Sequence, residues 1–128
     1  MTDLIGNTPL ISMNFDDIPN TEILVKMELL NITGSAKDRM AFYMLNKAEK
    51  LGKIQPGATI IEATTGNTGI ALAMVAAMKG YKMILIMPDH MSQERKDAMA
   101  AYGATLIEVS QQQGMEGARD LALKMQTE

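Results

Sequence analysis

Two short stretches carry the residue types that could do chemistry. In TGSAKDR (33–39), Lys37 follows a Gly-Ser pair, and Asp38 and Arg39 come directly after it. A lysine in the first turn of a helix opposes the macrodipole, and with partial burial that field leaves the amine readier to attack an electrophilic carbon. The plain alternative is a solvated charge cluster, with Asp38 well placed for a helix N-terminus. In TTGNTG (64–69), Gly66 and Gly69 bracket Asn67 and Thr68 between an apolar run and a helical pattern. Small residues there let the backbone approach a ligand closely. Unpaired N–H groups and the hydroxyls of Thr64, Thr65 and Thr68 suit a carboxylate or a phosphate. The stretch is neither GxGxxG nor a P-loop, and an ordinary tight turn with a Thr cap accounts for it equally well.

Composition removes several other chemistries. The 128 residues contain no cysteine and a single histidine, His90, so thiolate metal sites, disulfides and a His cluster are excluded. His90 reads as a loop residue, and no metal site is expected. A net charge of −3 with both signs interspersed argues against nucleic acid or an anionic membrane surface as partner. No apolar run approaches the ~20 residues that span a bilayer. MTDLIGNTPL lacks a basic stretch followed by an apolar core, so a cytoplasmic protein is expected. Thirteen methionines without tryptophan suggest an adaptable aliphatic core.

The elements that must position these residues follow a regular rhythm from residue 34 onward. Ser35 is expected to cap a helix running to about Leu51, with Met40, Met44, Leu45, Ala48 and Leu51 on its apolar face. ATIIEA (58–63) is a short apolar run of strand length, KMILIMP (82–88) reads as a buried strand and TLIEV (105–109) as a third strand. Helices are expected after each: IALAMVAAM closed by Gly80, Ser92 to about Tyr102 ended by Gly103, and about Met115 to Met125. SQERKDAM reads as an exposed helical face. Near-continuous apolar strands alternating with helices predict an α/β fold, a parallel sheet with helices on both faces. The first 33 residues differ. There EILVKMELL (22–30) reads as one strand, with a linker near Asn31 to Gly34. Ligands of an open α/β sheet bind beyond the carboxyl ends of the strands, where TTGNTG, PDHMS and QQQGMEG lie.

The order IGNTPL, NITGSAKDR, EATTGNTGIALA and MPDHMSQERKDAMAAYGA closely resembles the cysteine synthase (O-acetylserine sulfhydrylase) family of fold-type-II pyridoxal-phosphate enzymes. MSQER, AYGA and QGMEGARDLA are more similar to its B branch than to its A branch. The resemblance covers nearly the whole chain. It implies a tryptophan synthase β-subunit-like fold, with residues 1–33 belonging to the larger cofactor domain and 34–128 forming the small α/β domain.

The resemblance also implies roles. Lys37 matches the lysine that forms the Schiff base with pyridoxal phosphate and can take the substrate's α-proton as general base. Asn67 matches the cofactor-binding asparagine, and Thr64, Thr65, Gly66, Asn67 and Thr68 match the loop that binds the substrate carboxylate. The implied reaction converts O-acetyl-L-serine and sulfide, or thiosulfate, to L-cysteine, or S-sulfocysteine, with release of acetate. A homodimer is implied as well.

Two positions depart from the family pattern. Thr65 stands where the family usually has serine, and its methyl stiffens the side chain beside the carboxylate. Asn31-Ile32-Thr33 lacks the family's usual proline. Family members run to roughly twice this length, in keeping with a two-domain size, and the phosphate-binding loop is expected in sequence beyond these residues. The competing readings are a truncated, inactive α/β interaction fragment and a related fold-type-II enzyme, such as cystathionine β-synthase or a serine/threonine dehydratase.

Overall fold

The computed structural model describes residues 2–17 and 20–127. Among these the chain runs β1 (Leu10–Met13), β2 (Ile23–Lys26), α1 (Lys37–Lys50), β3 (Thr59–Ala63), α2 (Asn67–Lys79), β4 (Lys82–Pro88), α3 (Gln93–Ala101), β5 (Thr105–Val109) and α4 (Gly114–Gln126). Short 3-10 turns occupy Thr2–Leu4 and Glu28–Leu30.

Strands β3, β4 and β5 form a parallel sheet with β4 in the centre, Ile61 opposite Ile84 and Ile86 opposite Ile107. The seven-residue run KMILIMP is apolar along nearly its whole length because β4 is covered on both faces. Its alternation divides the core. Met83, Leu85 and Met87 face the layer built by α1, α2 and α3, whereas Ile84 and Ile86 face Ala118, Leu121 and Ala122 of α4. Helix α2 lies deepest, with Ala71 through Ala76 all buried, which explains a sequence that is apolar on every side. Gly80, at φ 75°, closes it in a left-handed turn that a glycine adopts without cost. Met74, Met83, Met87 and Met99 fill this core, as expected of methionine here.

Helix α1 departs from expectation. It starts at Lys37 with Ala36 at the cap, and Ser35 Oγ instead accepts the Lys37 N–H at 3.2 Å. Its buried line is Asp38, Ala41 and Leu45, whereas Met44 and Leu51 are half exposed or more. Burial of Asp38 turns the helix so that small Ala41 meets the alanine-rich α2 closely.

The N-terminal region is also rearranged. EILVKMELL is not one strand, because only Ile23–Lys26 is extended, paired antiparallel with β1 so that Leu10 lies opposite Lys26. The chain then tightens into the Glu28–Leu30 turn, where the Asn31 N–H donates to the Glu28 carbonyl. The segment 31–34 is no linker. Asn31 is buried, its Oδ1 accepts the Gly6 N–H at 2.8 Å, and its Nδ2 donates to the Glu28 carbonyl at 2.8 Å.

Candidate functional site

Lys37 is the first residue of α1. Its side chain is exposed, as the solvated reading of this stretch has it, and its Nζ finds no hydrogen-bond or ion-pair partner among the described residues. An exposed amine without a structural partner is free to meet a ligand. What the sequence reading missed is how firmly the backbone before it is held. The wholly buried Asp38 carboxylate accepts the Thr33 N–H at 2.8 Å and the Thr33 hydroxyl through its other oxygen. This folds the TGS turn back onto the start of α1.

Arg39 completes the support. Its Nε and Nη2 grip the two oxygens of Glu28 at 2.8 and 2.9 Å, and Nη2 also reaches the Thr8 hydroxyl at 3.1 Å. The Thr8 hydroxyl in turn donates to Glu28 Oε1 at 2.7 Å, and Asn31 Nδ2 donates to Oε2 at 2.8 Å. The guanidinium beside it, helped by these donors, pulls the Glu28 carboxyl down from 4.5 to about 2. Gly6 belongs to the same arrangement: at φ +84°, a Cβ there would lie 2.8 Å from Arg39 Nη1. The reading of Asp38 and Arg39 as solvated surface charge is therefore corrected. They tie the IGNTPL segment, Glu28 and Asn31 to the helix that begins with Lys37.

The TTGNTG stretch folds differently from a plain loop, because α2 already begins at Asn67. Thr64 is buried and its N–H donates to the Ile86 carbonyl, extending the sheet by one residue. Thr64 Oγ1 accepts the N–H groups of Gly66 at 3.4 Å and Gly69 at 3.1 Å, which is the capping role that the bland reading gave to a threonine. Gly69 is required for this: a Cβ would fall 2.4 Å from Thr64 Cγ2 and 3.0 Å from Met99 Cε. The N–H groups of Thr65, Asn67 and Thr68 find no acceptor among the described residues. Unbonded amides at a helix start are groups of the kind that can receive an anion. Thr64 thus serves the fold, and the amides that follow it carry no acceptor among the described residues.

A cleft of about 510 Å³ brings the two stretches together, with Thr33 on one wall and Asn67, Ile70, Arg95 and Tyr102 on the other. Lys37 does not line this cleft. It begins the helix whose Asp38 is tied to Thr33 of the cleft lining. Arg95, which the sequence placed on an exposed charged face, donates from Nη1 to the Thr65 carbonyl at 3.1 Å. Its neighbour Lys96 is buried and bonds the Asp89 carbonyl at 2.7 Å and Glu108 at 2.9 Å, a second correction to that face. The PDHMS loop leaves His90 exposed. Among the described residues no group of three or more His, Cys, Asp or Glu is placed to hold a metal, and no helix is long and apolar enough to cross a membrane.

A family model described as pyridoxal-phosphate dependent enzyme matches residues 1–128. Over 130 residues the chain is 59% identical to cysteine synthase B of Pseudomonas syringae pv. syringae, spanning 100% of this chain and 76% of that protein. To cysteine synthase B of Pseudomonas aeruginosa it is 60% identical over 130 residues, spanning 100% of this chain and 43% of that protein. The crystal structure of cysteine synthase from Entamoeba histolytica superposes with a TM-score of 0.91 at 43% identity, over 97% of this chain and 38% of that one. The chain thus spans 76% of one relative but only 43% of another.

Proposed function

The chain belongs to the pyridoxal-phosphate dependent enzymes, and from that premise we propose that it carries the reactive lysine and substrate loop of a cysteine synthase. The reaction we assign is β-replacement: O-acetyl-L-serine and sulfide give L-cysteine and acetate, and thiosulfate in place of sulfide gives S-sulfocysteine. The observation that carries this reading is the shared cleft. Thr33, tied by Asp38 to the helix that begins at Lys37, and Asn67, at the start of α2, line the same cavity.

The donor set fits the aldehyde and ring end of the cofactor. Lys37 supplies a primary amine with no competing partner, Asn67 an exposed amide donor for a ring oxygen, and the cleft has the ~300–1,000 Å³ size usual for small-molecule sites. When bound, pyridoxal phosphate supplies an electron sink for a carbanion at the substrate α-carbon.

The chain's own residues do the rest. The free N–H groups of Thr65, Asn67 and Thr68 bind the substrate carboxylate at the positive end of α2, with the Thr65 and Thr68 hydroxyls beside them. Thr64 and Gly66 shape the turn that presents them. Lys37 Nζ would hold the cofactor, and its free amine would accept the substrate α-proton as general base. Asp38 and Arg39 keep the first turn of α1 in register for both tasks. Residues 1–33 form part of the larger cofactor domain and 34–128 the small α/β domain. The protein acts as a cytoplasmic homodimer on small molecules.

The test is spectroscopic. Purified protein mixed with pyridoxal phosphate should develop the visible band of a lysine-bound cofactor, and O-acetylserine should shift it. No band, or one that substrate leaves unmoved, sinks the assignment.

A further inference from the structure

The geometry points to Arg95 as a positioning residue for the carboxylate cradle, an inference that rests on the substrate-loop reading above. Arg95 lies in the first turn of α3, yet its guanidinium crosses to the loop before α2 and takes the Thr65 carbonyl at 3.1 Å. That carbonyl belongs to the peptide joining Thr65 to Gly66. The N–H of the same peptide donates to Thr64 Oγ1 at 3.4 Å, so the two bonds fix the peptide from opposite ends. Polarising the carbonyl strengthens the N–H as a donor.

A peptide that precedes glycine meets little steric resistance to flipping, because glycine has no Cβ to clash. Flipped, it would aim the carbonyl at Thr64 Oγ1, break the Gly66 N–H bond and disturb the Thr64 cap that sets the turn on which the amides of Thr65, Asn67 and Thr68 are presented. Arg95 holds the unflipped form. The base of this strut is itself fixed. Lys96, the next residue, is buried against the Asp89 carbonyl and Glu108, which anchors the first turn of α3 to β5 and to the loop after β4. Arg95 lines the cleft beside Asn67, but Glu94 lines it too, so the part assigned to Arg95 is its bond to the Thr65 carbonyl and not an added net charge.

The experiment titrates acetate, as a carboxylate probe, into isotope-labelled protein and follows the amide resonances of Thr65, Asn67 and Thr68. In the wild type these amides should shift together and saturate. Arg95→Ala should require about tenfold more acetate, the change that 1.4 kcal/mol makes at 25 °C, with an unchanged melting temperature. Arg95→Lys, which keeps the charge and one donor, should recover part of the loss. In the cofactor-loaded enzyme Arg95→Ala should raise KM for O-acetylserine by a similar factor and leave kcat nearly unchanged. Wild-type amides that respond while Arg95→Ala responds equally well overturn the role of Arg95 and leave the proposed function standing. Wild-type amides that ignore acetate overturn both. If the alanine variant does not fold, Arg95→Lys decides alone, and wild-type affinity with displaced Thr65 and Gly66 resonances counts against the proposal.

Discussion

The Asp38 carboxylate, wholly buried at the start of α1, accepts the Thr33 N–H at 2.8 Å and the Thr33 hydroxyl as well. One side chain thereby closes the turn that carries the chain into Lys37. Two donors held by a buried carboxylate make this a structural joint as well as a neighbour of the amine proposed to react.

Asp38→Ala removes both acceptors and leaves the Thr33 N–H and hydroxyl without them. The expected loss is about 2–3 kcal/mol, the range for hydrogen bonds to a charged group. Urea denaturation measures it, and a loss below about 0.5 kcal/mol, the scale of an ordinary surface change, would contradict the joint.

Glu28 gives a pH dependence with a definite sign. Held chiefly by Arg39, it takes up a proton only near pH 2 in the folded chain, against 4.5 for the ordinary group. Between those values the unfolded chain binds more protons, so the contribution to stability is complete above about pH 4.5 and is lost as pH falls toward 2. Glu49, lowered chiefly by Lys79, acts in the same direction. Denaturation midpoints measured across this window should fall less steeply for Glu28→Gln than for the wild type. Identical slopes would show that the Arg39 pair does not discriminate folded from unfolded chain.

Much of the fold was legible because parallel strands covered on both faces must be continuously apolar. KMILIMP was therefore readable to the residue, whereas the edge strand TLIEV, exposed at Thr105 and Glu108, was marked out by its short apolar-rich run after Gly103. Strand β1 was not, since Leu10–Met13 is exposed along its whole length and shows neither alternation nor a buried run. The site divides in the same way. Lys37 and the TTGNTG turn are local and could be found by type and spacing. The bonds of Arg39 to Glu28 and Thr8, and of Arg95 to Thr65, join residues far apart in sequence, and nothing local distinguishes them from a solvated charge. The signal available was Arg39 and Arg95 each in the first turn of a helix, where a cation opposes the macrodipole and needs another reason to be there.

Gly69 offers a packing test inside the turn proposed to bind substrate. Alanine normally favours a helix over glycine, yet a Cβ at 2.4 Å from Thr64 Cγ2 cannot be accommodated without a shift. Gly69→Ala should cost about 1–3 kcal/mol through overpacking. Thr64→Ser, which deletes that methyl but keeps the hydroxyl, should relieve much of the cost in the double variant. Simple additivity of the two changes would show that the contact does not limit the turn.

The role of Lys37 is tested most directly by borohydride reduction of the protein mixed with pyridoxal phosphate, followed by peptide mass spectrometry. The cofactor's mass should appear on the peptide containing Lys37. Lys37→Met should lose that label with an unchanged melting temperature, because the exposed side chain has no structural partner among the described residues. Label on a different lysine, or undiminished label in Lys37→Met, would contradict the assignment of Lys37 as the reactive amine.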